Sequence, residues 1–136
     1  MFFSLTVLYN QSMKRIYTFG HEQVKRNLTV GDIIENKQKN EKMTQVTAAN
    51  QEEAEIIVKQ NIDMIITGSD WYEDVRKGAP NTFITAALFA GRFITNEEIL
   101  RGAFEVMMAG ADSVLTPRSF DVVEMLAKEG MQVQGH

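Results

Sequence analysis

The polar side chains best placed for chemistry are Thr47, Asn50, Ser69, Asp70, Arg92, Thr116, Arg118 and His136, each near the C-terminal end of a predicted strand. That end of a parallel sheet is where α/β proteins hold their ligands. Arg92 and Arg118 can each grip a carboxylate through two parallel N–H bonds. With Thr47, Ser69 and Asp70 they make a candidate substrate-binding set for a small acid. Each residue has a plainer use as well. Asp70 can cap or solvate a turn, and the two arginines can be surface charges. No catalytic residue is assigned.

Composition narrows the chemistry further. The chain has no cysteine, so disulfides, thiolate nucleophiles and Cys-based zinc sites are excluded. Only two histidines occur, His21 and His136, which leaves little material for Ser–His–Asp triads or His-rich metal centres. Lys plus Arg is 14 against 18 for Asp plus Glu, a formal net charge of −4. That balance carries no electrostatic footprint for nucleic acid or an anionic membrane surface, so neither is an expected partner. The 136 residues suit one domain.

The apolar start Met1–Tyr9 is too short for a membrane span of about 20 residues. Lys14 and Arg15 follow it rather than precede it, which is the wrong order for a signal peptide. Residues 1–27 are therefore read as an N-terminal extension, residues 28–136 as the folded domain, and the cytoplasm as the location.

These polar residues must be positioned by the elements around them. β-type runs fall at Met43–Ala48, Asp63–Thr67, Thr82–Leu88, Asp112–Thr116 and Met131–Gln134. Helical patterns fall at Asn50–Gln60, Asn96–Ala109 and Phe120–Glu129. Asn50…Glu53 and Thr95…Glu98 have the spacing of helix-starting capping boxes, and Gly110 and Gly130 stand where helices commonly stop. Glu35–Lys42 reads as a short helix and a solvated loop, and Arg76-Lys77 as a solvated loop before the Gly78-Ala79-Pro80 turn. Alternation of strand and helix predicts a parallel sheet. The helix between the second and third strands is missing or collapsed.

Several strings then line up in order: Leu28-Thr29-Val30-x-Asp32-Ile33-Ile34, Lys42-Met43-Thr44-x-Val46-Thr47-Ala48, Asp63 to Gly68, Val75 to Asn81, Val106 to Asp112, and Val133-Gln134-Gly135-His136. On these the chain resembles ketopantoate hydroxymethyltransferase, the 3-methyl-2-oxobutanoate hydroxymethyltransferase of pantothenate synthesis, in the phosphoenolpyruvate/pyruvate barrel superfamily. The resemblance implies a (β/α)₈ barrel that holds magnesium and a small 2-oxo acid, with methylenetetrahydrofolate as the one-carbon donor. Such barrels need about 250 residues. The fold expected here is therefore a half or partial TIM barrel of about five parallel strands, as from a truncated gene.

The departures from the family pattern set the functional expectation. The family's Gly-Asp-Ser stands as Gly68-Ser69-Asp70, so Ser69 occupies a metal-ligand position, and Asp70, one residue away from it, is the candidate metal ligand that the resemblance leaves. The second family aspartate falls on Ala87, and the family lysine and glutamate fall on Leu115 and Pro117. A loop and helix are absent between Gly68 and Gly78. The resemblance thus implies a transferase-like chain that is weak or inactive by itself, with neither cofactor bound. The alternative is a silent homologue serving as a binding or assembly subunit, or a gene fragment. A half barrel also leaves two strand edges open, and Val46, Ile65 or Ile66, Ile84 and Val114 are assigned to its inner face. A homo-oligomer is expected from this.

Overall fold

The computed structural model describes residues 13–136. The first twelve residues of the extension lie outside the described residues. Residues within the rest of that stretch form an antiparallel hairpin, β1 (Lys14–Tyr17) and β2 (Gln23–Arg26), with Lys14 opposite Arg26. His21, at φ 64°, takes the left-handed conformation that closes its turn.

The remaining elements alternate. They are α1 (Val30–Gln38), β3 (Gln45–Thr47), α2 (Gln51–Val58), β4 (Met64–Gly68), a 3₁₀ turn (Ser69–Trp71), α3 (Tyr72–Gly78), β5 (Phe83–Ala87), α4 (Asn96–Met108), β6 (Ser113–Thr116), α5 (Phe120–Lys128) and β7 (Val133–Gly135). The five strands β3 to β7 pair in sequence order, all parallel. That is the partial barrel the alternation predicts.

Local chemistry explains the helix boundaries. Thr95 accepts from the Glu98 N–H while Glu98 reaches back to the Thr95 N–H, which starts α4. Gly110 and Gly130 take φ of 110° and 84° and end α4 and α5, as their positions predict. Two helices differ from expectation. α1 begins at Val30 rather than in the charged stretch, because Thr29 and Asp32 form a capping box of their own. The crossover between β4 and β5 is not lost: it is a 3₁₀ turn followed by the seven-residue α3. Gly78 makes that crossover possible, since a Cβ there would stand 2.2 Å from the Gln51 carbonyl oxygen.

Register separates the two faces of the sheet. Ile65, Ile84, Ala86 and Val114 pack with Ala54 of α2, Val75 of α3, Ala103 of α4 and Leu126 of α5 in one buried core. The helices therefore cover this convex face. Adjacent strand positions face opposite sides, so Met64, Ile66, Thr85, Ser113, Leu115 and Gln134 lie on the concave face. This corrects the assignment of Ile84 and Val114 to the barrel interior, and of the alternatives Ile65 or Ile66 it is Ile66 that faces inward. Val46 belongs to the convex side too but is 39% exposed at the edge. All five residues of β5 are buried, so alternation in the sequence could not distinguish its faces.

At the N-terminal ends of β5 and β6 lies a buried ion cluster. Asp112 accepts Arg26 Nε at 2.8 Å and Arg76 Nη2 at 2.8 Å, and its Oδ2 also accepts the Ile84 N–H. The guanidiniums donate further to the carbonyls of Lys25, Pro80, Thr82 and Gly110. Arg26 thus ties the hairpin to the sheet. Arg76 is part of α3 and half-buried, not in a solvated loop.

Candidate functional site

The C-terminal ends of the sheet strands open into a cavity of about 380 Å³. Thr47, Ile66, Gly68, Ala87 and Leu115 form its strand-borne wall, and Glu53 and His136 also line it. Trp71 and Phe89 stand at its lip as an edge-to-face pair with ring centroids 5.8 Å apart. Gly68 is what lets them close in: a Cβ at that position would sit 2.7 Å from the Phe89 ring and 3.2 Å from the Trp71 ring. Leu88 carries the chain from β5 toward Phe89 and is itself buried. The location is the one at which parallel barrels place their sites.

The expected binding residues do not converge here. Thr47 alone of them lines this cavity. Ser69, Asp70 and Arg92 meet in a second cleft of about 230 Å³, with Glu73, Phe93 and Glu105. There Arg92 is ion-paired with Asp70, and both side chains are substantially exposed. Arg118 lines neither space; its backbone N–H donates to Thr116 Oγ1 at 3.2 Å. Asn50 is the N-cap of α2 and accepts the Glu53 N–H at 2.9 Å. The 3₁₀ turn is the physical cause of the split, since it carries Ser69 and Asp70 away from the strand ends.

Magnesium asks for several hard oxygens in an octahedral array. The cavity offers one carboxylate, Glu53, whose Oε2 accepts the Ala49 N–H at 2.7 Å. Among the described residues no group of three or more His, Cys, Asp or Glu could hold a metal ion. The donor set on this chain does not fit the ion.

Residues that sequence reasoning passed over define the cavity instead. They are Trp71, Phe89 and Glu53. Thr67, opposite Ala86 in the register, turns its side chain to the helix layer; among the described residues its Oγ1 and Ser69 Oγ are buried without a hydrogen-bond partner. The available signal was Gly68, directly after a buried-type strand, with the chain's only tryptophan three residues further on.

No family model matches the chain. Curated proteins named 3-methyl-2-oxobutanoate hydroxymethyltransferase do resemble it. The one from Geobacillus thermodenitrificans is 30% identical over 134 residues, covering 79% of this chain and 48% of that relative. The one from Deinococcus radiodurans is 40% identical over 68 residues, covering 46% and 24%. The one from Ignicoccus hospitalis is 25% identical over 136 residues, covering 82% and 52%. The chain spans about half the length of the first of these relatives. Among the described residues, no helix is long and apolar enough to cross a membrane.

Proposed function

We propose that the chain is a 3-methyl-2-oxobutanoate hydroxymethyltransferase-like half barrel that performs little or no one-carbon transfer by itself. Its place beside that family is supported by the similarity over about four-fifths of the chain and by the sequential parallel sheet. The lack of activity is carried by one observation, the donor set of the cavity. Ala87 and Leu115 line it where the family resemblance calls for an aspartate and a lysine, and Ser69 faces a different cleft. Without a metal, nothing there draws electron density from a 2-oxo acid carbonyl to favour enolate formation. Magnesium calorimetry tests this directly. The expected result is no binding heat, either for the chain or for Ser69→Asp with Ala87→Asp, because the two positions open onto separate clefts. Micromolar magnesium binding by the unmodified chain would overturn the reading.

A second reading is favoured by the edges of the sheet. β3 and β7 each have a single neighbour, and β3 is exposed throughout. Exposed parallel edges are templates for pairing, and β7 of a second copy can add to β3 in the same sense. On this reading the chain is a silent binding or assembly subunit that forms a homo-oligomer. Light scattering at micromolar concentration is then expected to give a multiple of 15.4 kDa, and a stable monomer counts against it.

A further inference from the structure

We infer that the cavity at the strand ends takes an uncharged, mainly apolar small molecule, and not a metal-chelated 2-oxo acid. The inference rests on the same site as the proposed function and goes beyond it. Four observations carry it. The volume of about 380 Å³ lies within the range of small-molecule sites. The wall is built from Ile66, Ala87, Leu115 and the Trp71–Phe89 pair, all apolar faces. Among the described residues no lysine or arginine lines it, and Arg92 is held by Asp70 in the other cleft. Glu53 presents a carboxylate at the rim, which repels an anionic ligand.

A ligand that displaces water from this apolar wall gains by burial. A charged acid gains no counter-ion there and loses its hydration.

Trp71 makes the test direct, because it is the chain's only tryptophan and stands at the lip. Its fluorescence is followed while the full chain is titrated with cyclohexanol, and separately with 3-methyl-2-oxobutanoate with and without magnesium. The expected result is a saturable change with cyclohexanol and none with the oxo acid under either condition. Ala87→Leu narrows the cavity and should abolish saturation, with circular dichroism confirming that the variant is folded. If Trp71 gives no saturable response to cyclohexanol, the apolar site is overturned. If it responds to the oxo acid only with magnesium, both the apolar site and the proposed lack of a metal site fall.

Discussion

Gln45 and Gln134, 89 residues apart on the first and last strands of the sheet, exchange side-chain amide hydrogen bonds at 3.3 Å across the concave face. In a flat sheet with strands about 4.8 Å apart, the first and fifth would stand roughly 19 Å from each other. Two glutamine side chains, each reaching about 5 Å from its Cα at ordinary bond lengths, could not span that gap. The sheet is therefore curled as a barrel wall is, and the pair lies across its trough. Thr85 and Ser113, joined at 2.6 Å, lie on the same face.

The first prediction follows from that pair. Gln45→Ala and Gln134→Ala should each cost little, but a double-mutant cycle in urea should give a coupling of about 0.5–1 kcal/mol. Strictly additive effects would mean that the two strands do not approach in solution.

Asp112 carries the second. Its side chain is 5% exposed between two guanidiniums, of which Arg26 is 3% exposed. Asp112→Asn keeps the shape and leaves both cations without their counter-ion, which should destabilise the fold by about 3–5 kcal/mol in urea unfolding. A cost under about 1 kcal/mol, the range of an exposed ion pair, would remove the cluster from the account.

Acid stability gives the third. Burial pushes the Asp32 carboxyl up, but the Lys14 ammonium and the Thr29 N–H and hydroxyl outweigh it and leave the group lowered. Glu98 is lowered by the N–H groups of Thr95 and Ile94. A lowered carboxylate contributes stability that is full above its unfolded value, about 4, and is lost as pH falls through the folded value. The stability gap between the parent chain and Asp32→Asn with Glu98→Gln should therefore be constant above about pH 5 and narrow steadily as the pH falls below about 4. A gap unchanged by pH would contradict these assignments.

Much of the fold was legible because its signals are local. The Thr95–Glu98 box, the apolar face of α4 and the stops at Gly110 and Gly130 need no tertiary information. The order of five parallel strands followed from alternation of strand and helix. What escaped depends on packing. α3 is short, and its place against α2 depends on the missing Cβ of Gly78. Arg26 fell in the stretch read as an extension and Arg76 in one read as a solvated loop, and only Asp112, far along the chain, gathers them. The site divided for the same reason. Ser69 and Asp70 directly follow a strand end in sequence, and only the 3₁₀ turn reveals that they serve the neighbouring cleft.

The central claim is that this half barrel, by itself, lacks the apparatus for one-carbon transfer. The most direct measurement is hydroxymethyl transfer by the purified chain, supplied with 3-methyl-2-oxobutanoate, methylenetetrahydrofolate and magnesium, and followed by product formation. The account predicts a rate indistinguishable from the protein-free blank. Sustained turnover proportional to the concentration of the chain would contradict it.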